Sequence, residues 1–236
     1  MVRRKMKNEE IKKNTNGREY RVVPFSPPDI TSREIEEVVN ALKSGWITTG
    51  PKVKELERQV AQWSGTSKAV CLNSQTACAE MTLRILGIGD GDEIVVPSYT
   101  YTATASVVDH VGAKIVMVDC EPGKFTMDYK KLENAITSKT KVIIPVEIFG
   151  IPCDYGRIMS IVEKKKDLFH PSENKIQRAF GRIIVMADGA HCFGAEYKGK
   201  SIAQYPDFIN YSFHAVNVFE TEMMKFDCKE STKIAT

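Results

Sequence analysis

Short apolar runs of four to six residues alternate along this chain with longer stretches in which apolar residues recur every three or four positions. That switching between a strand-like and a helical period constrains the fold more than any other feature. A continuous apolar run suits a strand buried on both faces, and buried strands separated by helical crossovers belong to a parallel α/β sheet rather than to a set of hairpins. The runs at 69–72, 94–97, 115–118, 142–145, 183–187 and 207–211 are read as strands. The stretches at 77–86, 102–111, 128–136 and 155–168 are read as crossover helices, and 170–181 as a loop with a short helical turn. Ahead of these, Thr31-Ser32-Arg33-Glu34 is a capping box. It opens a helix with an apolar stripe of Ile35, Val38, Val39 and Leu42, and Gly45 ends it. Pro51 then begins a second helix at the position proline favours.

Composition matters mainly for what it excludes. With 42% hydrophobic residues and a net charge of +3, the chain can bury a core and carries too little positive charge to imply a nucleic-acid partner. Arg3, Arg4, Lys5, Lys7, Lys12 and Lys13 make residues 1–21 a basic segment, expected to be flexible as chain ends commonly are. The six cysteines, Cys71, Cys78, Cys120, Cys153, Cys192 and Cys228, have neither paired nor regular spacing. They suggest free thiols, with no zinc site and no disulfide framework. No apolar run approaches the roughly 20 residues that cross a bilayer, and no signal-peptide core begins the chain. The expectation is a cytoplasmic protein without a membrane partner.

In open α/β sheets ligands collect at the carboxyl ends of the strands. Several such junctions carry usable groups. Asn73-Ser74-Gln75-Thr76-Ala77 opens a helix whose free amides and positive dipole end could receive a phosphate; equally, Ser74 or Thr76 could simply cap that helix. Tyr101, in Ser98-Tyr99-Thr100-Tyr101-Thr102-Ala103-Thr104, could stack on a flat ring or pack into the core. Asp188 could pair with a protonated pyridine nitrogen, or serve as a turn residue, which aspartate suits. His191 could stand beside a cofactor or be structural. Ser212 could donate to a phosphate, and His214 reads as structural.

Taken together with Val23-Pro24-Phe25-Ser26-Pro27-Pro28, Gly45-Trp46-Ile47-Thr48-Thr49-Gly50-Pro51 and Ala187-Asp188-Gly189-Ala190-His191, these segments resemble the sugar aminotransferases of the DegT/DnrJ/EryC1/StrS family. The resemblance runs over about residues 22 to 216. It implies an aspartate-aminotransferase-like large domain of fold type I, a mostly parallel sheet flanked by helices, over 22–216. The implied cofactor is pyridoxal 5'-phosphate. Thr76 and Ala77 would hold its phosphate through their amides with Ser212. Tyr101 would cover the ring, Asp188 would meet its nitrogen and His191 would lie close by. Trp46, Thr48 and Thr49 would line the substrate side. Gln75 departs from the small residue commoner in that loop. The implied reaction moves an amino group from glutamate to a nucleotide-linked keto-sugar, for polysaccharide or secondary-metabolite synthesis, in a homodimer.

The resemblance breaks at Asn217, five residues after Ser212, where the family keeps its Schiff-base lysine. An amide can neither form that bond nor shuttle a proton. The glycine-rich run expected next is replaced by Val218-Phe219-Glu220-Thr221-Glu222-Met223-Met224. Residues 217–236 therefore read as a divergent tail in place of the small C-terminal domain, of the kind a frameshift or truncation leaves. The sequence expectation is an impaired enzyme that binds its cofactor weakly and noncovalently. The alternative is a non-catalytic remnant that folds, or pairs with an intact paralogue, without turnover.

Overall fold

The computed structural model describes residues 11–21 and 30–214. Its centre is a sheet of five strands: β3 (Glu93–Pro97), β4 (Lys114–Val118), β5 (Thr140–Ile143), β6 (Ile184–Gly189) and β9 (Phe208–Tyr211). They lie in the order β4-β3-β5-β6-β9, every neighbouring pair parallel. Between them run the helices α4 (Thr102–His110), α5 (Tyr129–Ala135), α6 (Tyr155–Lys164) and α7 (Lys175–Phe180), and α1 (Ser32–Lys43), α2 (Pro51–Ser64) and α3 (Gln75–Ile85) precede the first strand of the sheet. Two small hairpins stand outside this sheet: β1 (Ile11–Lys13) with β2 (Glu19–Arg21), and β7 (Glu196–Tyr197) with β8 (Lys200–Ser201). Neither hairpin is visible in the hydrophobic period, because strands of two or three residues are too short to show one.

Helix boundaries follow local chemistry. Thr31 caps α1 by accepting from the Arg33 amide, while Glu34 accepts from the Thr31 amide at 2.6 Å. Pro51 is the first residue of α2, which ends at Gly65 in the left-handed conformation, φ +67°. Ser74, Asp128, Asp154 and Asn174 cap α3, α5, α6 and α7 with their side chains.

The core sits on both faces of the sheet, as expected when strands are covered on each side. Ile94, Val96, Val142, Ile144, Ile184 and Met186 face α3 and α4, meeting Leu83, Val107 and Val108. Their chain neighbours Val95, Ile143, Val185 and Ala187 point the other way, to Leu132 of α5 and to Ile158 and Val162 of α6. This strict alternation is the period of two that extended chain imposes.

One expectation from the sequence is corrected. Residues 69–72 form no strand. The segment alternates as a strand would, with Ala69 and Cys71 against the cluster of Leu56, Val60 and Phe193, and Val70 and Leu72 outward. Its Cys71 amide, however, donates to the Glu57 side chain at 2.9 Å instead of to a neighbouring strand. The helix α1 forms as read, and its stripe of Ile35, Val38, Val39 and Leu42 is exposed, with no buried residue in the helix. Periodicity made the helix amphipathic, but no described element covers it.

Candidate active site

The carboxyl ends of β3, β5, β6 and β9 converge on Asp188. All six residues of β6 are buried, because the strand lies between β5 and β9 and is covered on both faces. Its end is held on the β5 side, where the Asp188 amide donates to the Pro145 carbonyl (2.9 Å) and the Glu147 amide donates to the Asp188 carbonyl (3.1 Å). Asp188 is 6% exposed. Thr104 Oγ1 donates to Oδ2 at 2.7 Å and the Ala190 amide to Oδ1 at 3.2 Å. Thr100 and Thr104 share a further hydroxyl hydrogen bond of 2.8 Å. Burial pushes the Asp188 carboxyl up from its ordinary value, and the hydrogen bonds from Thr104, Ala190 and the Gln75 side chain oppose that, together with His191.

Thr76 and Ala77 lie in the first turn of α3, the end where amides point out of the helix. The Ala77 amide donates to the Ser74 hydroxyl at 3.0 Å, so capping occupies the group expected to hold phosphate. Gln75, the first residue of α3, reaches Asp188. Ser212, buried, directly follows β9, and its hydroxyl accepts from the His214 amide at 3.2 Å. In the β6–β9 register Asp188 pairs with Asn210, so both side chains share the sheet face toward α3 and α4. Asn210 Nδ2 is buried without a hydrogen-bond partner. Tyr101 occupies the N-cap position of α4 and is 74% exposed. Trp46, Thr48 and Thr49 lie on the exposed segment between α1 and α2. There Trp46 Nε1 donates to the Thr49 carbonyl (3.1 Å), and the indole folds over Gly50, where a Cβ would fall 1.9 Å from Nε1. Asn217 and the motif of residues 23–28 lie outside the described residues.

The fold therefore gathers Asp188, Thr104, Gln75, His191 and Asn210, and Ser212 follows Asn210 by two residues at the end of β9. Thr104 escapes sequence reading because its partner stands 84 residues away. Glu147 escapes too, although a carboxylate immediately following an apolar run was a usable signal. It is 0% exposed, accepts from Tyr155 Oη at 2.5 Å and from the Cys153 amide at 2.7 Å, and so closes the loop after β5. Burial pushes its carboxyl up to about 7 despite these donors, and the nearby Asp188 adds to the rise.

Because the folded value is raised, the proton on Glu147 favours the fold. The stability it secures is complete below the ordinary carboxylate value of 4.5 and is lost as pH rises through about 7. Between about pH 5 and about pH 8, the unfolding free energy of the native chain should fall about 2 kcal/mol further than that of Glu147→Gln. Urea titrations of both proteins at the two pH values measure this difference, and parallel curves would dismiss it.

These groups fit pyridoxal phosphate. A buried carboxylate hydrogen-bonded only by uncharged donors suits a protonated ring nitrogen, and an orphaned amide nitrogen on the same sheet face marks polar capacity left unused. The start of α3 offers the positive end of a helix to a phosphate. The DegT/DnrJ/EryC1/StrS aminotransferase family profile matches residues 28–222. The chain belongs to that family.

Several known proteins are similar to it. Spr1654 of Streptococcus pneumoniae, assigned as a sugar aminotransferase and solved in apo, PMP and PLP forms, is 57% identical with a TM-score of 0.81. In its apo form the match covers 83% of this chain and 49% of that one. MJ1066 of Methanocaldococcus jannaschii is 39% identical over 86% of this chain and 48% of its own length. The UDP-4-amino-4-deoxy-L-arabinose–oxoglutarate aminotransferase of Shewanella sediminis is 37% identical over 82% and 46% respectively. The chain thus spans about half the length of the curated relatives it matches. The parallel sheet flanked by helices is the fold shared with Spr1654.

Proposed function

We propose that residues 22–216 are the cofactor-binding large domain of a pyridoxal-phosphate aminotransferase acting on nucleotide-linked keto-sugars, with glutamate as amino donor. Asp188 carries this reading: it is a buried carboxylate at the end of a central parallel strand, hydrogen-bonded to Thr104 and close to His191. When bound, the cofactor supplies a cationic ring that draws electrons from the carbon bearing the amino group. Asp188 holds the proton on the ring nitrogen, and Thr104 and the Ala190 amide keep the carboxylate aimed. Thr76 and Ser212 bind the phosphate, Tyr101 covers the ring against water, and Trp46, Thr48 and Thr49 lie toward the sugar. In the intact family form two copies complete the site.

A second reading is favoured by Asn217. With an amide where the family keeps its lysine, this chain retains pyridoxal phosphate only noncovalently and leaves the proton shuttle unfilled. Residues 217–236 are then a divergent tail, and the protein binds cofactor or an intact paralogue without turning over. Titration with pyridoxal phosphate, followed by borohydride and gel filtration, tests the two readings together. Saturable binding with no cofactor retained after borohydride is expected. Retention would overturn the second reading, and absence of binding would overturn the first.

A further inference from the structure

Beside Asp188 the carboxyl edge of the sheet carries a row of rings that ends on His191, and the other three are not used by the proposed chemistry. Tyr99 follows β3, Phe125 follows β4, Phe149 follows β5 and His191 follows β6. Successive rings touch. Tyr99 and Phe125 are 5.4 Å apart, Phe125 stands edge-on to Phe149 at 5.1 Å and 83°, and Phe149 lies near-parallel to His191 at 6.3 Å and 21°. Despite these contacts Tyr99, Phe125 and Phe149 are 44–48% exposed. From His191 the row crosses the sheet edge toward β4, away from the β9 side on which Ser212 stands.

The row is also held against resistance. Phe149 has φ +56°, in the left-handed region that a bulky side chain rarely adopts. Its amide lies 3.5 Å from His191 Nδ1, and a Cβ on the next residue, Gly150, would meet the His191 carbonyl at 3.2 Å. Glu147 staples the same loop from beneath through Cys153 and Tyr155. Strain of this kind persists where surrounding structure over-determines it, commonly where a ligand is clamped.

The row presents uncharged π faces, and Phe125 and Phe149 meet at nearly a right angle, so a flat heteroaromatic ring can lie on one against the edge of the other. A free phosphate finds nothing in that chemistry. We propose that Tyr99, Phe125 and Phe149 form the platform on which the nucleobase of the nucleotide-linked substrate stacks. The sugar is thereby carried past His191 toward Asp188. The assignment rests on the function proposed for the site, which supplies a ligand with a planar base at one end and the reacting carbon at the other.

Uridine diphosphate and inorganic pyrophosphate are the probes, measured by calorimetric titration of the 236-residue chain. Phe125→Ala and Phe149→Asn should each weaken uridine diphosphate about 5- to 100-fold, the range seen when a ring under a base is removed. Phe149→Tyr should keep the affinity, and pyrophosphate should bind all four proteins alike. Asparagine tolerates the left-handed backbone, so Phe149→Asn removes the ring without a folding defect. Uridine diphosphate binding that is absent or indifferent to these rings overturns the proposal. A fall in oligomeric mass in the variants with nucleotide affinity unchanged overturns it too, by making the row a contact between copies. Pyridoxal phosphate affinity, measured on the same proteins, should not move. If cofactor binds and ring-dependent nucleotide binding is missing, the platform alone is wrong. If the rings govern nucleotide binding and cofactor does not bind, the functional reading fails instead.

Discussion

Asn217→Lys should convert a chain that releases its cofactor on gel filtration into one that keeps it stoichiometrically after borohydride reduction. The basis is covalent chemistry. A lysine amine adds to the cofactor carbonyl and loses water, whereas an asparagine amide is not nucleophilic enough to do so. No other change proposed for this protein should have so large an effect, because bound fraction after reduction and desalting passes from near zero to near one. Intact mass spectrometry of the reduced protein reads it directly. If the variant binds pyridoxal phosphate and still loses it entirely, position 217 does not face the cofactor, and the alignment of the tail with the family's lysine is wrong.

Asp188→Asn should weaken pyridoxal phosphate about 10- to 100-fold, since a hydrogen bond to a charged group contributes about 1.5–3 kcal/mol. The substitution is nearly isosteric and leaves one acceptor, which can serve the Thr104 hydroxyl at 2.7 Å while the longer 3.2 Å bond from the Ala190 amide is given up. Folding should therefore survive. An asparagine also carries no burial cost for a charge, which at Asp188 is large enough to push the carboxyl up. Stability is thus expected to hold or rise while cofactor affinity falls, and that opposition separates a functional carboxylate from a structural one. Fluorescence titration and thermal unfolding on the same two proteins give both readings. Equal affinities would remove Asp188 from the cofactor site.

Much of the architecture is legible in the order of residues. The helix starts at Ser32 and Pro51 follow from a capping box and a proline, signals contained within four residues. The strands around 94–97, 115–118 and 183–187 follow from apolar runs and recur as β3, β4 and β6. The sheet's parallel character follows from helical stretches intervening between those runs. Asp188 is legible as a candidate because strand ends collect ligands, and the fold places it at such an end, buried.

Other features were decided only in three dimensions. The 69–72 run has strand-like alternation, yet the Glu57 side chain takes its Cys71 amide and the run joins no sheet. The stripe on α1 is a correct helical signal that nonetheless stays exposed, because amphipathicity states which face wants covering and not whether a neighbour arrives. Thr104 acquires its role through a partner 84 residues distant, and Glu147 through Tyr155 and Cys153 folding back over it. Phe149 joins an aromatic row only because four loops end at one sheet edge.

By itself the sequence determined the central strands and most of the helices, where α1 and α2 begin and which family the chain resembles, since period, caps and motifs act over a few neighbouring residues. Tertiary structure alone decided which apolar faces are covered, which carboxylates lose water and which rings meet. Those outcomes depend on contacts between distant elements, whose geometry no local pattern contains.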